Sequence, residues 1–367
     1  MKVCVLLFAI VLIATSACKK EKQEDIISTP HNYSSSIYRS GIPSPMGGCL
    51  DSNENLLTFH LPLLANTTYP YPVSIPAEIL LFNNNVDSLI INFGTRAFSS
   101  GHFGSDTINS IPGWTPRSNK VSLAYNKRGW LFMAHNRTNE ISLISGNMTV
   151  SYKTIYGLTA MTSYGNDLYA MSTNIYDGNG LIIQDPIIHR IDSFGILEDY
   201  YNFPANIIFN HNCGTQGGSQ AMYPIDVLVD MKFGNDSSLY IACGYDNVIY
   251  KLDKNKNLSR FIENIFCPVS IDFDNKGQMF IVSAPKYEQD SSSQFFISKP
   301  VEVYLLSTDG SLSVIYSGNK IGQGGCLTDD IIPGQFMVSD ANFNINVTST
   351  GSIFLENPLE KNIILIQ

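Results

Sequence analysis

The sequence predicts an all-β protein, a β-propeller of six four-stranded antiparallel blades. A unit of paired apolar strands separated by tight turns recurs along almost the whole chain after its N-terminal segment. The composition, 44% hydrophobic and only 15% charged with 19 Tyr and 20 Phe, is typical of a chain rich in strands. The last copy of the unit lacks one strand, and a matching strand stands near the N-terminus.

The repeated unit is clearest between Pro268 and Gly318. PVSIDFDNKGQMFIVS gives an apolar strand, an Asp-Asn-Lys-Gly turn and a second apolar strand. After an insertion, VEVYLLSTDGSLSVIYSG gives a third strand, a Thr-Asp-Gly turn and a fourth. Alternation with a period of two, with Gly, Asn and Asp at the corners, predicts an antiparallel meander of four strands.

The other blades follow from the same pattern. Four further copies lie at Cys49–Gly94, Val121–Ile155, Leu158–Phe203 and Pro224–Asn264. Phe343–Gln367 supplies only three strands. The segment Ser34–Gly41 (SSSIYRSG) is similar to the fourth strand LSVIYSG, so we expect it to pair with the last blade and close the ring. A ring of seven blades is the alternative, if Thr95–Arg117 contains a degenerate blade.

The repeats resemble the NHL type, which occurs in six-bladed propellers. The resemblance is carried by three motifs, all of which occur in Pro224–Asp253: a Pro-x-x-x-x-x-Asp start, Leu-Tyr-Ile-Ala in the second strand and Val-Ile-Tyr-Lys-Leu-Asp in the third. It implies an architecture but no single activity, because NHL-like propellers include lactonases, amidating lyases and pure binding scaffolds.

The N-terminal segment predicts export and a lipid anchor. Met1 and Lys2 precede an apolar run of about 12 residues, which is too short for a bilayer span of about 20. Small residues then lead to Cys18, a pattern that resembles the lipobox of bacterial lipoproteins, although Thr15 stands where that motif usually has Leu, Val or Ile. We expect a signal peptide over 1–17, a lipidated Cys18 with a flexible tether over 18–33, and one propeller domain over 34–367. Cleavage near Ala17 of an ordinary secreted protein is the alternative.

The charged run KKEKQED directly after Cys18 is similar to the export signals of surface lipoproteins in Bacteroidetes-type bacteria. The predicted location is therefore the outer membrane of the cell envelope, on its periplasmic or its surface side. The net charge of −9 and the scattered Lys and Arg argue against nucleic-acid binding. We expect a monomer. An exported chain can form disulfides, but the sequence does not pair the cysteines of the propeller, Cys49, Cys213, Cys243, Cys267 and Cys326.

The long connections are predicted to share one face of the propeller. Turns between the first and second and between the third and fourth strands of a blade are short, and the other connections carry every long insertion. These insertions are His60–Pro76, Thr95–Arg117, Ser172–Pro186, Pro204–Ala221, Ser283–Pro300 and Asn319–Gln335. Loops on a rigid scaffold commonly carry binding residues, so we expect this face to bind a glycan, a peptide or an envelope protein. Its candidate residues are Tyr71, His102, Phe103, Trp114, Tyr176, His211 and Tyr287.

Polar residues of the innermost strands form a second candidate site at the propeller axis. Alignment of the blades places Ser122, Thr159, Asp226, Ser270, Asp272, Asn344 and Asn346 around the central opening. Asp and Asn oxygens suit a hard divalent cation, and a similar acidic and amide set binds metal in lactonase-type propellers. Those enzymes also use a glutamate ligand, and the alignment gives no glutamate at an equivalent inner position. The alternative is structural: the same side chains cap strand starts or bind a buried water.

Two functions follow from these candidates. No motif of a serine hydrolase, metalloprotease or phosphate-binding loop occurs in the sequence. The favoured prediction is a non-enzymatic binding module without a cofactor, tethered by lipid and presenting one loop-rich face. The alternative is a lactonase-like hydrolase or an amidating-lyase-like enzyme with a divalent metal at the axis.

Overall fold

A computed structural model shows the predicted propeller. It describes residues 33–40, 42, 45–60, 78–83, 87–92, 121–135, 139–145, 148–176, 182–207, 229–244, 246–289, 295–318, 343–358, 360 and 362–367. Within these ranges every regular element is a β-strand. The described chain thus contains no helix, and none that is long and apolar enough to cross a membrane.

The strands form six four-stranded antiparallel blades, each ordered from the innermost strand outwards as strands a, b, c and d. The first two blades consist of β2 (Pro45–Leu50), β3 (Leu56–His60), β4 (Glu78–Phe82) and β5 (Asp87–Asn92), and of β6 (Val121–Tyr125), β7 (Leu131–His135), β8 (Glu140–Ser145) and β9 (Met148–Thr154). The third consists of β10 (Leu158–Tyr164), β11 (Asp167–Ser172), β14 (Ile187–Ile191) and β15 (Leu197–Asn202), with a hairpin of β12 (Ile175–Tyr176) and β13 (Ile182–Gln184) inserted between strands b and c.

The second half of the ring repeats this design. The fourth blade consists of β16 (Val229–Phe233), β17 (Leu239–Cys243), β18 (Val248–Leu252) and β19 (Leu258–Glu263). The fifth consists of β20 (Pro268–Phe273), β21 (Met279–Ser283), β24 (Glu302–Leu306) and β25 (Leu312–Ser317), with the hairpin β22 (Lys286–Gln289) and β23 (Phe295–Lys299) again between strands b and c. The sixth consists of β26 (Asn344–Val347), β27 (Ile353–Asn357), β28 (Asn362–Ile366) and β1 (Ser35–Ser40).

The predicted closure of the ring is confirmed. β1 pairs with β28 as the fourth strand of the sixth blade, with Ser35 opposite Ile366 and Ser40 opposite Asn362. Each innermost strand also contacts the innermost strand of the next blade, and β26 contacts β2. The first and sixth blades are therefore neighbours, and the six innermost strands surround one axis.

The core lies between the faces of neighbouring blades. Phe280, Ile345 and Leu355 belong to the largest apolar cluster, which fills the space between the fifth and sixth blades. Val229, Met231 and Met171 lie in a similar cluster between the third and fourth. Side chains alternate along each strand, so the two faces of a blade contribute to different clusters, as in β21, where Phe280 and Val282 belong to one cluster and Met279 and Ile281 to another.

The propeller has two unlike faces. Strands a and c run in one direction and strands b and d in the other, so the a–b and c–d turns share one face, which we call the short-turn face. These turns are tight, as in Asp253–Asn257, where the Asp253 carboxylate accepts the N–H groups of Asn255 and Asn257. The strand ends that flank all six long connections lie at the opposite face, which we call the loop face.

Candidate functional site

A small pocket lies at the axis, among the innermost strands. Most of its lining residues lie at or near the beginnings of these strands, whereas Met161 and Lys232 lie further along them; the full lining is Gly47, Gly48, Val121, Ser122, Leu123, Met161, Asp230, Lys232, Phe343 and Asn344. Because strand a of each blade starts at the loop face, this pocket lies among the strand ends that carry the long connections. The axial site predicted from sequence and the loop-rich face therefore share one side of the molecule.

The fourth blade supplies two residues that the sequence alignment did not place there. Phe233 pairs with Leu239 beside the a–b turn of that blade, as Phe273 pairs with Met279 in the fifth blade. Asp230 lies three residues before Phe233, as Ser270 lies three residues before Phe273. Asp230 and Lys232 are therefore the fourth-blade equivalents of Ser270 and Asp272. The sequence alignment had given the first of these places to Asp226, which lies outside the described residues.

Asp230 and Ser270 connect the fourth blade to the fifth and sixth. Asp230 Oδ2 accepts the Ser270 hydroxyl at 2.8 Å and the backbone N–H of Ile271 at 3.0 Å. Ser270 Oγ in turn accepts the N–H of Ile345 at 3.2 Å and lies 3.3 Å from Asn344 Oδ1. These bonds run between neighbouring blades, so the side chains serve the structure of the ring.

Asp272 and Asn344 continue the same arrangement. Asp272 Oδ2 accepts the N–H of Val347 at 2.8 Å, which links the fifth blade to the sixth. Asn344 Nδ2 donates to the backbone oxygen of Gly48 at 3.2 Å, which links the sixth blade to the first. Burial raises the pKa of Asp272, while Lys232 and the two backbone N–H donors oppose that shift. The predicted ring of acidic and amide side chains thus ties blades together along half of the axis.

Lys232 also lines the pocket, but it takes part in none of the hydrogen bonds between blades described above. No described carboxylate lies within the 4.0 Å of an ion pair with its ammonium group. Burial alone lowers the pKa of Lys232, but attraction to Asp272 and Asp230 outweighs it, and the net shift of the pKa is upward. Lys232 is therefore a protonated donor that faces the pocket.

Glu356 is a buried carboxylate that sequence analysis missed. It lies on β27, a second strand, opposite Asn344 of β26, so an alignment of innermost strands does not contain it. Its Oε1 accepts the Thr58 hydroxyl at 2.9 Å, and the backbone N–H of Gly48 also supports the carboxylate. Burial raises its pKa to about 7, against these hydrogen bonds and the charge of Lys232. Its Oε2 is buried and has no hydrogen-bond partner among the described residues.

Gly48 makes room for this carboxylate. A β-carbon at position 48 would lie 1.9 Å from Glu356 Oε1 and 2.8 Å from the backbone oxygen of Leu57. Only glycine fits where the first blade meets the sixth. Two signals were available in the sequence: the pair Gly47-Gly48 at the start of the first blade, and a glutamate directly after three apolar residues in the strand IFLEN.

The remaining predicted site residues are distributed as follows. Ser122 lines the pocket, whereas Thr159 is buried in β10 and Met161 reaches the pocket instead. Asn346 is 1% exposed, and its Nδ2 has no partner among the described residues. Tyr176 and Tyr287 fall in the inserted hairpin strands β12 and β22 of the loop face. Cys18, Tyr71, His102, Phe103, Trp114 and His211 lie outside the described residues.

The described cysteines form no disulfide. Cys49, Cys243 and Cys267 are all buried. Burial raises the pKa of Cys49, which lies near Lys232 and Glu356, to about 12, so its thiol stays protonated at neutral pH. Cys213 and Cys326 lie outside the described residues.

Comparison with known proteins places the fold among solved six-bladed propellers. The sequence matches no protein-family model and no curated protein. A gluconolactonase from Xanthomonas campestris is similar over 91% of this chain and 89% of its own, with a TM-score of 0.53 and 9% identity. A protein of unknown function from Bacteroides thetaiotaomicron is similar over 93% of this chain and 74% of its own, at a TM-score of 0.52 and 12% identity. A protein described as a putative gluconolactonase is similar over 95% of this chain and 96% of its own, with a TM-score of 0.51 and 9% identity. At these identities the likeness shows the fold alone.

Proposed function

We propose that this protein is an exported, lipid-tethered binding module that takes a polar ligand on its loop face, with the axial pocket as the deepest point of contact. The leader, the lipobox-like Cys18 and the tether support export to the outer membrane, on its periplasmic or surface side. The NHL-like repeats support a scaffold function, and the polar pocket among the long connections supports ligand binding. The ligand is a glycan, a peptide or part of an envelope protein.

Lys232 is the observation that carries this proposal. Its ammonium group has three N–H donors, faces a pocket on the loop face and has no described ion-pair partner within 4.0 Å. Asp230 and Asn344, which line the pocket beside Lys232, are held by hydrogen bonds between blades. A fixed ammonium group without an ion-pair partner among the described residues can donate to a ligand oxygen without reorganisation of its surroundings.

The test is a binding screen with one axial variant. Residues 18–367 carrying Cys18→Ser are applied to arrays of defined oligosaccharides and of defined peptides. We expect a ligand whose affinity falls about tenfold or more in Lys232→Met, because a charged donor is worth about 1.5–3 kcal/mol. Lys276→Met, in an a–b turn of the short-turn face, is the matched control and should bind like the parent. Equal binding by both variants would remove Lys232 and the axial pocket from the proposal.

The second candidate, a metal-dependent hydrolase or lyase, is favoured by one feature only. Glu356 Oε2 is buried without a partner among the described residues, as a metal-ligand oxygen would be. The donor set as a whole does not fit a divalent cation. The described residues contain no group of three His, Cys, Asp or Glu side chains that could hold a metal ion. The Asp230 and Asp272 carboxylates are committed to backbone N–H groups, and Lys232 brings a positive charge to the same region.

A further inference from the structure

The N-terminal strand determines the face from which the predicted tether leaves the propeller. Ser34 N donates to Gln367 O at 2.7 Å, and Gln367 N donates to Ser34 O at 2.9 Å. β28 is strand c of the sixth blade and β1 is strand d. The two bonds therefore lie at the position of the c–d turn in the other blades. Residues before Ser34 therefore join the propeller at the short-turn face. The long connections and the axial pocket are on the opposite side.

The same face carries a cluster of exposed apolar side chains on the second and third blades. Phe194 and Ile196, in a c–d turn, are 86% and 62% exposed. Trp130, in the a–b turn of the second blade, is 40% exposed, and Met148, at the start of β9, is 66% exposed. We call these four residues the apolar tip. Among the described turns of the short-turn face, large and freely exposed apolar side chains concentrate here.

The apolar tip is held in a fixed conformation. Asp192 Oδ1 accepts the N–H groups of Phe194 and Ile196, each at 2.8 Å, and Gly195 adopts a φ of +82° between them. Arg128 Nη1 donates to the backbone oxygen of Ser193 at 2.9 Å, which joins the two turns across the blades. The turn that exposes Phe194 and Ile196 is therefore held by hydrogen bonds on both sides.

The chemistry of the apolar tip suits a lipid interface. The Arg128 guanidinium lies over the Trp130 ring at 5.4 Å from its centroid. Aromatic and aliphatic side chains flanked by Arg enter the headgroup region of a bilayer, where the rings are buried and the charge stays in water. Four side chains are far fewer than the roughly 20–30 residues per side of a stable protein–protein interface. The patch matches shallow insertion better than a protein partner.

We propose that the short-turn face lies against the membrane, with the apolar tip inserted in the bilayer interface. The orientation rests on the proposed lipid tether. In a ring of six blades the third blade is opposite the sixth. The proposed tether and the apolar tip would therefore contact the membrane at opposite edges of the same face. A random-coil chain as long as the proposed tether, about 15 residues, spans about 20 Å on average, which would keep the tip at a high effective concentration near the bilayer. The loop face and its pocket then point away from the membrane.

Vesicle binding of the unlipidated chain tests the tip by itself. Residues 18–367 carrying Cys18→Ser retain every strand and are sedimented with vesicles of phosphatidylethanolamine and a minority of phosphatidylglycerol. We expect measurable binding that falls about tenfold in Phe194→Ser/Ile196→Ser. The control Leu89→Ser/Phe261→Ser removes two exposed apolar side chains from outer strands and should bind like the parent. All variants should show the parent's melting temperature, since the four positions are exposed.

A second readout places Trp130 at the bilayer. In Trp114→Phe the remaining tryptophan is Trp130, whose fluorescence should be quenched by brominated lipid. An unquenched Trp130, no sedimentation of the parent, or equal loss in the control would overturn the membrane-facing inference. Mass spectrometry of Cys18 in the chain made with its leader tests the tether separately. An unmodified Cys18 with vesicle binding intact would overturn the proposed tether and leave the apolar tip as the membrane contact.

Discussion

Thr58 Oγ1 donates a 2.9 Å hydrogen bond to Glu356 Oε1, and this bond joins the second strand of the first blade to the second strand of the sixth. It is a buried polar contact where the ring closes, beside the apolar clusters and the other hydrogen bonds that join neighbouring blades. The two residues are 298 positions apart in the chain.

The pH dependence of stability should report on Glu356. Its pKa is about 7 in the folded protein against an ordinary value of 4.5, so the folded state keeps a proton that the unfolded state has lost. The contribution of this proton to the free energy of unfolding is complete below about pH 4.5. It is lost as the pH rises towards 7, by up to about 3 kcal/mol at about 1.4 kcal/mol per pH unit. Urea unfolding between pH 5 and 8 should show this slope, and Glu356→Gln should flatten it.

The control for that series is Glu263→Gln. Glu263 is half exposed and pairs with Arg260 on the same strand, so its substitution should leave the slope unchanged. A slope that survives in Glu356→Gln would assign the pH dependence to another group.

Gly48→Ala should be strongly destabilising. Its β-carbon would overlap Glu356 Oε1 and approach the backbone of Leu57, neither of which has room to move in the closed ring. We expect a loss of about 3 kcal/mol in urea unfolding. Gly165→Ala is the comparison, because its φ of +65° is strained for alanine but its β-carbon would meet nothing within 4 Å. That variant should lose only about 1–2 kcal/mol, and a larger loss than in Gly48→Ala would contradict the account.

Asp230→Ala should weaken the contact between the fourth and fifth blades. The change removes the acceptor of the Ser270 hydroxyl and leaves the buried N–H of Ile271 without a partner. Two bonds to a charged acceptor predict a loss of about 3 kcal/mol in denaturant unfolding. Asp253→Ala removes three hydrogen bonds within one exposed turn, from the N–H groups of Asn255 and Asn257 and from the Asn257 side-chain amide, and should cost clearly less than Asp230→Ala. Equal losses would show that the bond between blades adds no stability beyond a local cap.

Metal removal should leave the protein unchanged. Since the described donor set does not fit a divalent cation, elemental analysis of the purified chain should find no stoichiometric Ca or Zn, and the thermal melt should be the same with and without EDTA. One equivalent of metal, lost together with several degrees of melting temperature, would revive the metalloenzyme candidate and justify lactonase assays.

The fold was predictable because period-two alternation and corner residues mark every strand of a meander. Ser34–Gly41 could be assigned to the last blade by its likeness to another fourth strand, and β1 confirms the pairing. The polar residues at the axis were harder to predict from the sequence. PIDVLVDMKF alternates equally well in two registers four residues apart, so Asp226 and Asp230 were indistinguishable until the a–b turn was located. Glu356 was missed because its role depends on the packing of two chain ends, which no local pattern records.

The pairing of β1 with β28 also determines the order in which the ring can assemble during synthesis. β1 is made before every other described strand, but its partner lies at residues 362–366, so it must wait while the other blades form. Closing so large a loop carries the greatest entropy cost of any contact in the chain and slows folding. Until then the sixth blade has an unpaired edge, so the incomplete ring is exposed to strand pairing with other chains at that stage.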